Sequence, residues 1–194
     1  MVTKIKYGNT STYFIHGKNG NILVDTDLPD TLSGFYKAIK ENNICLKDIS
    51  YLVATHYHPD HIGLFSVLKS LGVKLLLIDT QIPYINFSDK IFSKMQGVNY
   101  QVLKEEDFEI IDIMNSRSFL KNLGINGEII SLKSHSKDSI CLYLDGGTVI
   151  AGDLEPLDYV DAYDDNKLLK DDWETILVKK PNIIYFSHQK EISL

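Results

Sequence analysis

The stretch His56-Tyr57-His58-Pro59-Asp60-His61 places four potential metal ligands within six residues of the chain. It follows the apolar run 51–54, which is typical of a strand that is buried on both faces. Side chains two residues apart point the same way on extended backbone, so His56 and His58 can bind one ion together. Asp60 and His61, at the turn into the next predicted helix, face another direction and can serve a second ion.

Crowding favours a metal site over the alternative interpretation, an ordinary solvated loop. Histidine and aspartate are common in loops, and one His-x-His pair would be a weak indication. Three imidazoles and a carboxylate held together would be unstable once the rings are protonated, whereas a metal ion binds all four groups. The short separation of the two pairs further predicts two metals that share a bridging ligand.

Three further potential ligands follow predicted strands elsewhere in the chain. His135 comes after the run 129–132, Asp153 follows the strand 148–151, and His188 follows the strand 183–186. Each alone is an ordinary side chain at a strand end. Because active sites of layered α/β folds gather at the ends of buried strands, their shared position predicts one site with the 56–61 stretch.

The rest of the pattern predicts a mixed α/β chain. Two strands at 12–16 and 21–25 flank a glycine-containing turn and predict a β-hairpin. Apolar residues at helical spacing follow Pro29, and a helix is predicted at 172–179. With no internal repeat and no linker, residues 1–194 are predicted to form a single layered domain.

The order HxHxDH, His135, Asp153 and His188 resembles that of the metallo-β-lactamase superfamily, in particular its glyoxalase II-like hydrolases. The resemblance spans nearly the whole chain, since 21–26 looks like the family's early strand ending in Asp-Thr. It implies an α/β fold, the four-layer αββα sandwich. It also implies a first metal on His56, His58 and His135, a second on Asp60, His61 and His188, and Asp153 bridging both beside a shared hydroxide.

The resemblance also implies the chemistry. Two divalent ions, zinc first with iron or manganese as alternatives, bring the pKa of a bridging water toward neutrality and supply a nucleophile without serine or cysteine. The predicted catalytic residues are the carboxylates Asp60 and Asp153, while Asp25 is implied to be a structural residue near the 56–61 loop. We therefore predict a metal-dependent hydrolase of a small ester, thioester or lactone.

Several positions depart from the family's pattern without removing a ligand. Asp27, Ser134 and Ser187 stand where the family commonly has glycine. Six residues follow His188, so the helical region that binds glutathione in glyoxalase II has no counterpart in this sequence. We expect a substrate other than that of glyoxalase II.

The charge of the chain is concentrated in one segment. Residues 153–174 contain nine acidic and two basic side chains, a net of −7, whereas the whole chain carries −6. Beginning at a predicted ligand, this segment is expected to form a wall of the site and to repel polyanions. Since Arg117 is also the only arginine, no nucleic-acid partner is expected. Tyr159 and Tyr163 are candidate substrate-binding hydroxyls.

Composition sets the remaining expectations. The two cysteines form no CxxC motif, and no apolar stretch has the length of a signal peptide or a membrane span. A cytoplasmic protein with a small-molecule substrate and no membrane partner is predicted, and its oligomeric state stays open.

Two other functions fit the same ligands. One is a mononuclear iron dioxygenase acting on a thiol persulfide, with iron on His56, His135 and Asp153. The other is a non-catalytic metal-binding or regulatory protein on the same fold.

Overall fold

A computed structural model describes residues 1–98, 100–162 and 166–194 and contains two β-sheets. The first sheet has six strands in sequence order: β1 (Val2–Lys6), β2 (Ser11–Ile15), β3 (Asn21–Val24), β4 (Ile49–Val53), β5 (Lys74–Ile78) and β6 (Phe108–Ile111). β1, β2 and β3 pair antiparallel, and β3 to β6 pair parallel. The carboxyl ends of β3, β4 and β5 therefore lie at one edge of this sheet.

The second sheet has the order β11-β10-β9-β8-β7. Its strands are β7 (Gly127–Ser131), β8 (Ile140–Leu144), β9 (Thr148–Ile150), β10 (Ile183–Tyr185) and β11 (Ile192–Ser193). β9 and β10 are parallel, so the residues that follow both strands lie at the same edge. Asp153 and His188 come after these two strands.

In the described part of the chain, six α-helices accompany the sheets: α1 (Leu32–Glu41), α2 (Pro59–Ile62), α3 (Phe65–Ser70), α4 (Asp89–Phe92), α5 (Ser116–Asn122) and α6 (Lys167–Leu177). Short 3-10 helices connect several of these elements. Within the described ranges, none of the helices combines the length and the apolarity needed to cross a bilayer.

Three hydrophobic clusters define four layers. Val53 and Leu142 belong to the cluster between the two sheets. Phe35 of α1 packs in a second cluster against the outer face of the first sheet. Trp173 of α6 packs with Ile184 in a third cluster, against the outer face of the second sheet. The order helix, sheet, sheet, helix confirms the predicted αββα sandwich.

The predicted elements are confirmed where the apolar pattern is strong. β2 and β3 form the predicted hairpin. α6 begins at Lys167, five residues before the predicted start at 172. α5 and β11 were not predicted. α5 has only two buried residues among its seven, which is too few for a helical periodicity to stand out.

Candidate metal centre

The 56–61 stretch changes from extended to helical backbone at its middle. β4 ends at Val53, and His58 is still extended, with φ −73° and ψ 154°, as the following proline requires. α2 then begins at Pro59 and carries Asp60 and His61. Because the two halves have different backbone conformations, the histidine pair and the Asp-His pair point to different positions.

The first half-site consists of three ring nitrogens. Nε2 of His135 lies 3.1 Å from Nε2 of His56 and 3.2 Å from Nδ1 of His58. Ligand nitrogens at about 2.0–2.1 Å from a tetrahedral zinc ion lie about 3.3 Å apart, so this spacing fits a shared ion. The structure thus brings together the three residues predicted to bind a first metal.

The second half-site consists of Asp60, His61 and His188. Oδ2 of Asp60 lies 3.1 Å from Nε2 of His188 and 3.9 Å from Nε2 of His61. One ligand atom from each of the three residues lies within 4.8 Å of the other two. This grouping matches the predicted second set.

Asp153 lies between the two half-sites. Its Oδ2 is 3.7 Å from Nε2 of His135 and 3.3 Å from Nε2 of His61, and its Oδ1 is 3.4 Å from Nε2 of His188. Its carboxylate therefore faces both groups, as the predicted bridging role requires.

Two buried atoms of the centre lack a hydrogen bond. Nε2 of His61 and Oδ1 of Asp153 are both buried without a hydrogen-bond partner. A buried polar atom left unsatisfied is costly, and a metal ion would satisfy both of these atoms. The donor set, five imidazoles and two carboxylates, suits a divalent transition metal.

Asp25 orients ligands from behind. Its Oδ2 accepts a hydrogen bond from Nδ1 of His61 at 3.0 Å, which leaves Nε2 of that ring facing the centre. The same carboxylate accepts from the backbone N–H of Thr55 at 2.6 Å and from the Thr55 hydroxyl at 2.8 Å. The Thr55 hydroxyl in turn lies 3.2 Å from Nδ1 of His56. The predicted structural position of Asp25 near the loop is confirmed.

Two of the departures from the family's pattern belong to this hydrogen-bonding shell. The Ser187 hydroxyl donates to Asp25 at 3.2 Å. Asp27 accepts the backbone N–H of Thr10 at 2.9 Å, and the Thr10 hydroxyl donates to the carbonyl oxygen of Asp60 at 2.7 Å. These side chains add contacts that glycine would lack.

Two buried carboxylates that the sequence did not single out hold the ligand loops. Asp172 of α6 accepts the backbone N–H groups of Lys133 at 2.9 Å and Ser134 at 2.7 Å, directly before His135. Asp138 accepts the backbone N–H of Tyr57 at 2.7 Å, between two ligands. The sequence contains one indication that Asp172 is buried, because this residue lies among the apolar positions of α6.

The electrostatic environment prepares several groups for metal binding. Burial and the neighbouring imidazoles hold the pKa of His56 well below its usual range, so this ring is neutral at pH 7. A hydrogen bond from His188 lowers the pKa of Asp60 to about 2, so this carboxylate is ionised. Metal ligands must be in these protonation states.

His61 is the exception. Burial by itself would lower its pKa, but the carboxylates of Asp25 and Asp153 outweigh burial and raise it to about 10. The two carboxylates that favour a proton on His61 also attract a cation.

The structure describes one of the two tyrosines that were predicted to bind substrate. Tyr159 lies on a 3-10 helix that follows Asp153, and it is 41% exposed. Tyr163 lies outside the described residues. Trp173 anchors the start of the acidic segment, since its Nε1 donates to the carbonyl oxygen of Glu155 at 2.9 Å. The hydroxyl roles of both tyrosines stay predictions.

Comparison with known proteins places this geometry in a family. The family model described as the metallo-beta-lactamase superfamily matches residues 5–188. A curated relative, the beta-lactamase-like protein 2 homolog of Drosophila melanogaster, is 23% identical over 182 residues, which is 92% of this chain and 58% of the relative. The chain thus spans a little over half the length of that protein.

Three solved structures share the fold. A metallo-beta-lactamase family protein from Thermus thermophilus has a TM-score of 0.68 and 18% identity. The match covers 99% of this chain and 74% of the Thermus chain. An archaeal superfamily protein from Sulfolobus tokodaii has a TM-score of 0.66 and 17% identity, covering 99% and 81%.

The third structure is a peroxy diiron species of the chemotaxis sensor ODP. It has a TM-score of 0.70 and 15% identity, covering 100% of this chain and 84% of its own. At these identities the likeness concerns the fold alone. The family match over nearly the whole sequence carries the assignment, and the chain belongs to the metallo-β-lactamase superfamily.

Proposed function

We propose that this protein is a dinuclear metal-dependent hydrolase of a small ester, thioester or lactone, of the glyoxalase II-like type. One observation carries the proposal: seven potential ligands form two groups, and the Asp153 carboxylate faces both of them. Membership of a superfamily of mostly metal-dependent hydrolases supports it.

The residues of the chain have distinct roles in this proposal. His56, His58 and His135 would hold one ion, Asp60, His61 and His188 would hold the other, and the Asp153 carboxylate would be shared between them. When bound, the two ions lower the pKa of a shared water and polarise the substrate carbonyl. Asp60 and Asp153 are the carboxylates that we propose to touch the reacting water.

The proposed reaction needs no further reagent. The oxygen of water forms a bond to the carbonyl carbon, and the carbon–oxygen or carbon–sulfur bond of the substrate breaks. The leaving alkoxide or thiolate takes a proton, so the products are a carboxylic acid and an alcohol or thiol, which for a lactone form one hydroxy acid. No electrons are transferred, which distinguishes this reaction from an oxygenase reaction.

The alternative functions use the same ligands differently. A mononuclear iron dioxygenase would need only His56, His135 and Asp153, and it leaves the grouping of Asp60, His61 and His188 without a role. The completeness of that second group supports the dinuclear proposal. A non-catalytic metal-binding protein would use both groups but turn over no substrate.

Metal content and reaction type test the proposal together. Elemental analysis of purified protein should give about two ions per chain. Hydrolysis of esters, thioesters and lactones is then measured without oxygen, and oxygen consumption is measured with a persulfide. One iron per chain with persulfide-dependent oxygen consumption would favour the dioxygenase, and two ions without turnover of any substrate would favour the binding protein.

A matched pair of variants ties turnover to the centre. Asp153→Asn removes the shared carboxylate charge. We expect it to lower the metal content and to lower the turnover rate by at least about a hundredfold. Asp158→Asn removes an exposed carboxylate from the same acidic segment and should leave both unchanged. Equal activity of the two variants would contradict the proposal.

A further inference from the structure

Phe87 is an exposed aromatic side chain beside the first half-site. Its side chain is 55% exposed, and its ring centroid lies 5.1 Å from that of His58 with an angle of 32° between the planes. Phenylalanine is among the residues most often fully buried, whereas this ring keeps about half of its surface accessible at a position in contact with a predicted ligand.

The position of Phe87 is fixed by the ligand stretch itself. Its neighbour Ser88 is fully buried and donates its hydroxyl to the carbonyl oxygen of Tyr57 at 2.6 Å. Tyr57 lies between His56 and His58 in the sequence. The backbone N–H of Phe87 also donates to the carbonyl oxygen of Tyr84 at 2.9 Å. The ring is therefore held next to the centre by the segment that supplies two ligands.

We propose that Phe87 binds an apolar group of the substrate and makes the enzyme selective for substrates with an alkyl or aryl substituent. This inference rests on the proposed hydrolase function. A substrate group lying on the exposed side of the ring removes apolar surface from water on both partners, which favours binding. A short or charged substituent gains nothing from this contact.

Lys137 offers a competing source of selectivity. Lys137 lies two residues after His135 and is exposed, so an anionic substituent would find a cation on that loop. The two chemistries are separable, because one depends on an apolar ring and the other on a charge.

Kinetics on matched thioesters test the inference. An acetyl thioester of a small neutral thiol is lengthened to hexanoyl in the acyl part, or lengthened by the same amount in the thiol part. Phe87→Ala should lower the ratio of kcat/KM for a lengthened substrate to that for the short one by roughly tenfold, through KM, as expected for one hydrophobic contact. Phe87→Leu, which keeps an apolar side chain, should restore most of that ratio.

The control variant is Leu71→Ala. Leu71 is 47% exposed and directly follows α3, three residues before β5 begins at Lys74, at the opposite edge of the sheet from the ligands. It should show the wild-type ratio. Ratios in Phe87→Ala that equal those of wild type, with metal content unchanged, would overturn the inference. A preference for a succinyl over a hexanoyl thioester that is lost in Lys137→Ala would overturn it as well.

A binding measurement separates this inference from the hydrolase proposal. Hexanethiol is titrated into wild type and Phe87→Ala by calorimetry, and the inference predicts a roughly tenfold higher Kd for the variant. If wild type hydrolyses none of the thioesters but this difference in Kd is seen, the hydrolase proposal fails and the apolar contact stands. If hydrolysis occurs and Kd is unchanged, the inference alone fails.

Discussion

Nδ1 of His61 lies 3.0 Å from Oδ2 of Asp25, and both side chains are fully buried. The two residues are 36 positions apart in the sequence. Asp25 follows β3 and His61 lies on α2, after β4, and β3 and β4 are parallel neighbours. The contact fixes the orientation of His61 and connects the centre to the first sheet.

Replacing Asp25 tests this connection. Asp25→Asn keeps the shape and suits the positive φ of 60° at this position, which asparagine tolerates. In the wild type, hydrogen-bond donors face the Asp25 carboxylate. The asparagine amide would place an N–H group opposite some of these donors. We expect a loss of about 1–3 kcal/mol in the free energy of unfolding. We also expect the second metal to bind roughly 10–100-fold more weakly. Denaturation and metal titration measure the two effects.

The control for Asp25 is an exposed carboxylate nearby. Asp30 is exposed at the start of the turn before α1, so Asp30→Asn should change neither quantity. Metal binding that stays at the wild-type level in Asp25→Asn would show that Asp25 does not orient His61.

Asp172 gives a test of loop positioning. Its carboxylate accepts the N–H groups of Lys133 and Ser134, so Asp172→Ala leaves two backbone donors without partners beside His135. We expect a loss of about 1–3 kcal/mol in the free energy of unfolding and weaker binding of the first metal. The d–d spectrum of the cobalt-substituted protein, which reports on ligand geometry, should also change.

The adjacent residue supplies the control for this variant. Asp171 is exposed on the same helix, and Asp171→Ala should keep the wild-type spectrum. A cobalt spectrum of Asp172→Ala identical to that of wild type, despite lower stability, would limit Asp172 to a purely structural role.

Gly152 is tightly enclosed between two parts of the site. Its φ is +60°, and a Cβ added there would lie 2.7 Å from Oγ1 of Thr55. Gly152→Ala therefore adds backbone strain of about 1–2 kcal/mol and pushes Thr55 away from Asp25. Thermal unfolding should show lower stability, and elemental analysis should show less bound metal.

A second glycine provides the control. Gly146 has neither a positive φ nor a heavy atom within 4 Å of its added Cβ, so Gly146→Ala should be nearly neutral. Equal unfolding temperatures for the two alanine variants would contradict the steric argument at Gly152.

The pH dependence of stability can be tested away from the centre. A hydrogen bond from Lys179, together with one from Arg117, holds the pKa of Glu128 below its usual range. A carboxylate with a lowered pKa in the folded state adds stability above its unfolded pKa of about 4.3, and this stability is lost as the pH falls through the folded value.

The variant for this prediction is Glu128→Gln. The side chain of Glu128 is 25% exposed, so we expect a difference of at most about 1 kcal/mol from wild type at pH 7. The difference should shrink as the pH approaches 3. Glu174→Gln, at an exposed position, should show no such trend. Urea unfolding at several pH values provides the measurement, and a constant difference would contradict the assignment.

The sequence by itself predicted the candidate ligand set and determined the mixed α/β class of the fold. The HxHxDH stretch pairs its ligands through local backbone geometry, since extended residues two apart point the same way and the next turn redirects the chain. The strands before His135, Asp153 and His188 are visible as apolar runs, and strand ends gather at one edge of a layered fold. These inferences need only short-range periodicity and a general rule of topology.

Only the tertiary structure decided how the ligands are held. Asp138 and Asp172 look like ordinary polar residues in the sequence, yet each is buried and accepts hydrogen bonds from a segment far from it along the chain. The exposed ring of Phe87 beside His58 is equally invisible in the apolar pattern. The burial and hydrogen-bond partners of a side chain depend on which distant segments the fold brings together. The local sequence does not show which segments these are.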